Sequence, residues 1–323
     1  MRCAVLDDYQ DVARSMADWT PAGVDLTVYN DHFATEPEVH AAIRDCEIVV
    51  AMRERTPFTG AFLASLPKLK LLCTTGPRNP SIDLRAAEKL GITCCGTVAL
   101  PYPTAELTWA LILGLVRHIP HEDANFRARG HWQTRVAVDL SGRTLALLGL
   151  GTLGERVARV GQAFGMKVIA WSNNLTLARC AELGVEYVSK EDLVRRADVL
   201  SIHTQLSRRT QGLIGTAELA AMKPTAYLIN TSRGYIVDEA ALIDALRQGR
   251  IAGAGLDAFE VEPLPHDHPF RSMPNVLVTP HMGYVSEDNY RLWYTQIVEN
   301  IVAWKAGAPV RVMDPARNVD RSL

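Results

Sequence analysis

The chain has 323 residues, 48% of them hydrophobic, which is enough for a sizeable core and favours two domains over one. Its formal net charge is −2, and its Lys and Arg residues are spread along the chain, so the composition predicts neither a nucleic-acid nor a membrane partner. The six cysteines lack metal-ligand spacing, and most lie in apolar, strand-like segments. With no N-terminal signal pattern, they predict a reduced, cytoplasmic protein.

Strand-like and helix-like patterns alternate from residue 1 to about residue 97. Ile48–Ala51 and Leu71–Thr74 are apolar runs of strand length, whereas Glu36–Arg44 has helical spacing. This alternation is typical of a parallel, doubly wound sheet, whose ligands bind beyond the carboxyl ends of the strands. Arg53 and the loop 75–80 follow two such strands and are therefore candidates for holding an anionic substrate; incidental surface charge is the alternative.

A strongly apolar helix follows the proline pair at 101–103. The pattern predicts it over Thr104–Arg117, with Thr104 as its N-cap. A helix this apolar should be buried on most of its sides, between domains or subunits. The polar stretch 118–138 is expected to link it to the next strand.

The most informative stretch is strand, glycine turn and helix from Thr144 to Phe164. The turn has the pattern G-x-G-x-x-G between an apolar strand and a helical pattern, which is the dinucleotide-binding fingerprint. The first glycine permits the tight turn, the second lets the backbone approach a pyrophosphate, and the third lets helix pack on strand. The helix N-terminus favours the negative charge of the pyrophosphate. The cofactor-binding residues predicted here are Gly149, Gly151, Thr152, Leu153 and Gly154.

Charged side chains follow three later apolar strands. If these strands belong to the sheet with the fingerprint, Arg233, Glu262 and His281 converge at its carboxyl edge. Hydride transfer to a 2-keto acid needs such a set. Arg233 would bind the carboxylate and polarise the ketone, His281 would donate the proton, and Glu262 would orient the imidazole and stabilise its charge. A helix-capping arginine, solvated acids and a core histidine are the alternatives for each residue alone.

The chain resembles the NAD(P)-dependent D-2-hydroxyacid dehydrogenases over almost its whole length. The resemblance rests on motifs at 148–154, 229–234, 255–263 and 279–283. It implies an α/β protein with a Rossmann dinucleotide-binding domain over 101–292, including the apolar helix as a crossover. A flavodoxin-like, doubly wound substrate domain would combine 1–100 with 293–323. It also implies a homodimer that uses the crossover helix.

The same resemblance assigns contacts in the site. It implies the catalytic set Arg233, Glu262 and His281, matching the chemical interpretation. It places Asp257 near the nicotinamide carboxamide and Thr231 along the cofactor. The backbone around Gly76 and Pro77 is expected to hold the substrate carboxylate, with Arg53 and Arg233 also binding substrate.

The sequence departs from the family pattern in three places. Ser172 and Asn173 stand where NAD-preferring members carry an acid, but the arginine typical of NADP-preferring members is also absent. The cofactor is therefore predicted to be NAD or NADP, with a slight lean to NADP. Gln205 replaces a usual proline without an evident function, and Arg78 either favours an acidic or phosphorylated substrate or faces water.

The predicted function is an oxidoreductase that transfers a hydride between NAD(P)H and a small 2-keto acid or D-2-hydroxy acid. No metal site is predicted, since Pro120 breaks the helix that would align His118 with His121, and His266 and His268 lie in a loop interpreted as structural. The alternative from another class is a nicotinamide-sensing binding protein, similar to the corepressors built on this scaffold.

Overall fold

The computed structural model describes residues 1–316. Their strands, numbered in chain order, are β1 Arg2–Val5, β2 Asp25–Val28, β3 Ile48–Ala51, β4 Leu71–Thr74, β5 Thr93–Cys95, β6 Thr144–Leu148, β7 Lys167–Trp171, β8 Glu186–Tyr187, β9 Val199–Ile202, β10 Tyr227–Asn230, β11 Gly253–Leu256 and β12 Val276–Val278. Their α-helices are α1 Ala13–Met16, α2 Glu36–Ile43, α3 Gly60–Ala64, α4 Leu84–Lys89, α5 Pro103–Val116, α6 Ile119–Arg127, α7 Thr152–Ala163, α8 Leu177–Glu182, α9 Lys190–Arg196, α10 Thr216–Ala221, α11 Glu239–Arg247 and α12 Glu287–Lys305.

The described chain folds into two compact units. The first combines Met1–Leu100 with a segment that begins at Val285, and the second contains Pro101–Tyr284. The expected boundary at 293 falls inside α12 and is corrected, because this helix is continuous from its Ser286 N-cap. Residues 317–323 of the predicted substrate domain lie outside the described residues.

The first unit is built on a five-stranded parallel sheet with the order β2-β1-β3-β4-β5. This is the flavodoxin-like order. Strands β3 and β4 are buried at every position, since the parallel sheet is covered by helices on its faces. The loops after β3 and β4, which contain Arg53 and Gly76, are neighbours at the carboxyl edge of this sheet because the two strands pair directly.

The second unit is built on a seven-stranded parallel sheet with the order β12-β11-β10-β9-β6-β7-β8. Counted from β6, its first six strands have the order 3-2-1-4-5-6 of the Rossmann fold, and β12 adds one strand at the edge. One apolar core lies on each face of this sheet. The predicted combination of a Rossmann fold and a flavodoxin-like fold is confirmed.

Two local predictions around the crossover helix differ from the structure. Helix α5 begins at Pro103 with Tyr102 as its N-cap, so Thr104 is not the cap. Proline suits the first helical turn because its missing N–H has no partner there anyway. The prediction that Pro120 breaks a helix after α5 was wrong for the same reason. Pro120 lies in the first turn of α6, where proline is tolerated. Among residues 1–316, no helix is long and apolar enough to cross a membrane.

Candidate active site

The glycine turn between β6 and α7 has the geometry that a dinucleotide requires. Gly149 has a φ of +104°, and a Cβ there would lie 2.7 Å from the carbonyl oxygen of His203. A Cβ on Gly154 would lie 2.3 Å from the Gly149 carbonyl oxygen, whereas one on Gly151 would meet nothing within 4 Å. The outer side of the turn is thus open where the first amides of α7, those of Thr152 and Leu153, lack intrahelical acceptors. These residues fit a bound pyrophosphate.

The residues after β7 carry no acid that would oppose a 2′-phosphate. Ser172 is half-buried and closes a turn by accepting the Leu175 amide, and Asn173 is exposed at the tip. In the first turn of α7, the carboxylate of Glu155 accepts from Arg159 at 2.7 Å and from Arg179 at 2.6 Å. Its charge is therefore paired with two cations.

His281 and Glu262 form a hydrogen-bonded pair. The distance from His281 Nδ1 to Glu262 Oε2 is 2.5 Å, and Glu262 Oε1 accepts the Phe259 amide at 2.9 Å. Burial acts to raise the pKa of Glu262, but the hydrogen bond and charge of His281, the Phe259 amide and the charge of Arg233 together hold that pKa below its usual range. Because Nδ1 is held by Glu262, the opposite ring nitrogen, Nε2, is not engaged in this pair.

Asp257 holds the loop that carries His281. Its Oδ1 accepts from the Thr279 hydroxyl at 2.6 Å and from the Met282 amide at 2.8 Å, and its Oδ2 accepts the Gly283 amide at 2.8 Å. Burial raises the pKa of Asp257, and these bonds and the His281 charge oppose that effect. His281 itself has a φ of +52°, a left-handed conformation that a non-glycine residue keeps only when its surroundings impose it. Sequence reasoning did not find this anchoring role.

Arg233 lies on a short loop after β10, and this loop packs tightly against the loop after β11 that carries Glu262. Its carbonyl oxygen accepts from Asn230 Nδ2 at 2.9 Å, and its Nη1 donates to the Ser232 carbonyl at 2.8 Å. A Cβ on the next residue, Gly234, would lie 2.0 Å from the Phe259 carbonyl carbon. Only glycine allows the loops of Arg233 and Glu262 to approach this closely.

The crossover helix supports two of the predicted site segments. Thr108 donates to the Thr104 carbonyl at 2.8 Å, and its hydroxyl oxygen lies 2.9 Å from that of buried Thr231. Because the hydroxyl proton of Thr108 is donated to the Thr104 carbonyl, the Thr231 hydroxyl is the donor in the bond between Thr231 and Thr108. Thr104 donates in turn to the Gly283 carbonyl at 3.0 Å, so α5 fixes both the end of β10 and the His281 loop.

The substrate residues predicted in the first unit lie together after β3 and β4. A Cβ on Gly76, which has a φ of +91°, would clash with Arg53 Nη1. However, the Gly76 amide donates to Thr97 Oγ1 at 2.7 Å, and Pro77 has no N–H. The expected backbone contact to a carboxylate therefore does not come from these two amides. The next amide, that of Arg78, has no hydrogen-bond acceptor among residues 1–316.

The histidines considered for metal binding lie in ordinary structural contacts. His268 Nε2 lies 3.0 Å from Glu239 Oε1, and its Nδ1 accepts the Phe270 amide. His118 is the N-cap of α6 and has a left-handed backbone. Within the described part of the chain, no group of three or more His, Cys, Asp or Glu side chains is placed to hold a metal ion.

Comparisons with known proteins assign the family. The sequence model of the D-isomer specific 2-hydroxyacid dehydrogenase, NAD binding domain, matches residues 109–283. A glyoxylate reductase of Aeropyrum pernix is 41% identical over 76% of this chain and 76% of its own. The solved phosphoglycerate oxidoreductase of Vibrio cholerae O395 is 38% identical, with a TM-score of 0.90, and the match covers 95% of this chain and 100% of that one.

A third similar protein was solved with its ligands. The D-lactate dehydrogenase of Aquifex aeolicus, complexed with NAD and lactic acid, is 28% identical with a TM-score of 0.76. The match covers 95% of this chain and 96% of that one.

This chain belongs to the D-isomer specific 2-hydroxyacid dehydrogenase family. It is a nicotinamide-dinucleotide-dependent oxidoreductase that binds NAD or NADP, as the sequence predicted. The three relatives are all enzymes by description, so the sensing protein considered as an alternative is not favoured.

Proposed function

We propose that this chain reduces a small 2-keto acid to the D-2-hydroxy acid, and that Arg233, Glu262 and His281 carry the reaction. The observation that supports this most strongly is the 2.5 Å pair between His281 Nδ1 and Glu262 Oε2 on the sheet that holds the glycine turn. A carboxylate that holds one imidazole nitrogen fixes the ring so that the other nitrogen can exchange a proton with substrate.

Each residue has one step in the proposed reaction. When bound, the reduced nicotinamide supplies the hydride that goes to C2 of the substrate. Arg233 binds the substrate carboxylate with its guanidinium fork and polarises the ketone oxygen. His281 Nε2 donates its proton to that oxygen, which becomes the hydroxyl of the product. Glu262 stays ionised and stabilises the charged imidazole before the proton leaves.

We also propose that the loops after β3 and β4 in the first unit contribute substrate contacts. The Arg53 guanidinium supplies positive charge for an anionic substrate, and the Arg78 amide is the backbone donor, because the Gly76 amide is taken by Thr97 and Pro77 has no N–H. Asn79 is fully buried and donates to the carbonyl oxygen of Arg53 and to Thr74 Oγ1, which supports a rigid loop at this position. A preformed loop reduces the entropy lost when substrate binds.

An initial-rate survey tests the proposed function. We expect oxidation of NADH or NADPH with at least one of glyoxylate, hydroxypyruvate, pyruvate and a longer 2-keto acid. Turnover should be abolished when Arg233 is replaced by alanine. Tight cofactor binding without turnover on any of these acids would contradict the proposal and support the sensing alternative.

The proposed cofactor is NADP, with NAD accepted. We expect Asn173→Asp to lower the ratio of kcat/KM with NADPH to kcat/KM with NADH about tenfold or more, because the new carboxylate repels a 2′-phosphate and accepts from the ribose hydroxyls. Asn174→Asp is the matched control for added charge and should change the ratio less. If Asn173→Asp left the NADPH-to-NADH ratio of kcat/KM unchanged, the ribose that carries the 2′-phosphate would not lie beside residue 173.

The proposed assembly is a cytoplasmic homodimer. Leu107, Ala110 and Leu113 form an incompletely buried apolar stripe on α5, and Trp132 beyond α6 is 79% exposed. An apolar surface of this kind is typical of an interface. We expect sedimentation of the 35.6 kDa chain to show a dimer that Trp132→Glu weakens. Tyr187→Glu, an exposed aromatic on β8, is the control and should leave the mass unchanged.

A further inference from the structure

His203 lies against the glycine turn but has no step in the proposed reaction. It follows β9 and continues the ladder to β6, since its amide donates to the Leu148 carbonyl at 2.8 Å. Its carbonyl group is the one that excludes a side chain at Gly149, and its Cβ lies 3.6 Å from the position of a Cβ on Gly154. The His203 carbonyl group therefore packs against Gly149, and its Cβ lies beside Gly154.

One ring nitrogen of His203 is paired and the other is not. Nε2 lies 2.8 Å from the hydroxyl oxygen of Ser201, a fully buried residue on the same strand. Nδ1 is buried and has no hydrogen-bond partner among residues 1–316. Desolvation lowers the pKa of the ring to about 4, so the imidazole is neutral at pH 7. Leaving a buried polar atom unpaired costs free energy, and most such atoms in proteins have a partner.

The location of His203 distinguishes its unpaired Nδ1 from the other buried, unpaired side-chain atom found among residues 1–316. Trp109 Nε1 on α5 is also buried and unpaired, but its ring packs on Phe164 at a centroid distance of 5.1 Å, beyond the last residue of α7. His203 instead lies where α7 begins, at the turn whose open side fits a pyrophosphate. The residue that carries the unpaired atom thus lies beside the turn whose surroundings change when a dinucleotide binds.

We propose that His203 is a positioning residue for the dinucleotide and that its Nδ1 gains a hydrogen-bond partner in the cofactor complex. The partner is a polar group of the glycine turn or a water that the bound pyrophosphate orders beneath it. The bond then contributes to cofactor affinity and not to the stability of the free protein. Ser201 has the separate role of fixing the ring through Nε2.

Two amide substitutions of His203 distinguish the roles of its two ring nitrogens. The amide of asparagine reaches about as far as Nδ1, and the amide of glutamine reaches about as far as Nε2. We expect His203→Gln to keep the contact with Ser201 but to raise the Kd for NADH and NADPH about tenfold, the loss of one hydrogen bond. His203→Asn should stay within about threefold of the wild type. Titration calorimetry at pH 7, without substrate, measures both values.

Three further measurements distinguish positioning of the cofactor by His203 from a merely structural role. Melting temperatures of the free variants report folding, and Trp109→Phe removes the other unpaired atom and should leave the Kd unchanged. With substrate, His203→Gln should raise KM for the dinucleotide and leave kcat at saturation near the wild-type value. Equal affinity losses in His203→Asn and His203→Gln, or an unchanged Kd in His203→Gln, would overturn the proposal. Since binding is measured without substrate, these results are independent of the proposed reaction.

Discussion

Replacing His281 by glutamine is expected to lower kcat about 10²- to 10⁴-fold, the range that a positioned general acid contributes. Glutamine can still accept or donate a hydrogen bond, but it cannot carry the proton that the ketone oxygen takes up. The Kd for the dinucleotide should not change, because the glycine turn is formed by other residues of the sheet. Steady-state rates at saturating cofactor, together with calorimetry, measure both quantities.

Two further variants test the specificity of the His281→Gln effect. His268→Gln is the matched control, since His268 pairs with Glu239 outside the proposed set, and it should keep nearly full activity. Glu262→Gln should give an intermediate loss. The pKa of Glu262 lies below its usual range, so its carboxylate is ionised above that lowered pKa, and its contribution is lost only as the pH falls through it. Wild-type kcat in His281→Gln would contradict the assigned proton donor.

The substitution Gly234→Ala is expected to damage both stability and activity. The new Cβ would lie 2.0 Å from the Phe259 carbonyl carbon and 2.4 Å from the Glu260 nitrogen, and backbone cannot rotate away as a flexible side chain can. We expect the free energy of unfolding to fall by about 3 kcal/mol, the upper part of the range for overpacking. A displacement of about 1 Å between the loops of Arg233 and Glu262 should also lower kcat about 10²-fold.

Gly215→Ala is the control for this prediction. Its Cβ would lie 3.7 Å from the nearest atom, a Glu218 carboxylate oxygen, which is an ordinary contact. Urea unfolding of the two variants gives the difference in stability, and initial rates give the difference in kcat. If Gly234→Ala matched Gly215→Ala in both measurements, the close approach of the two loops would not be what fixes Arg233.

The sequence was sufficient to predict the fold because the relevant signals are local. Alternating strand and helix patterns predicted a parallel, doubly wound sheet, and the glycine turn predicted a dinucleotide-binding unit, whereas the pairing of a Rossmann with a flavodoxin-like domain was implied by the family resemblance. Strands β3 and β4 were predicted with the bounds that the structure shows, since both are apolar runs of strand length. Pro103 and Pro120 led to the local errors, because proline begins a helix as readily as it breaks one.

The supports of the site were not predictable, because they join residues that are far apart in the chain. Asp257 holds the loop of His281 from a position 25 residues before Met282, and Thr104 reaches Gly283 across 179 residues. The amide of Gly76 is taken by Thr97, a contact that sequence spacing does not indicate. Motifs thus identify which residues are chemically suited to a reaction, whereas tertiary contacts decide which of their donors remain for a ligand.

The most direct test of the proposed reaction follows the hydride itself. The chain is given NADH and NADPH deuterated at the transferable position of C4, together with hydroxypyruvate or pyruvate, and the product is analysed by chiral chromatography and mass spectrometry. We predict the D-2-hydroxy acid with a single deuterium at C2, formed by the wild type and strongly reduced in His281→Gln. A product without deuterium, the L-isomer, or no product despite tight cofactor binding would contradict the proposed reaction.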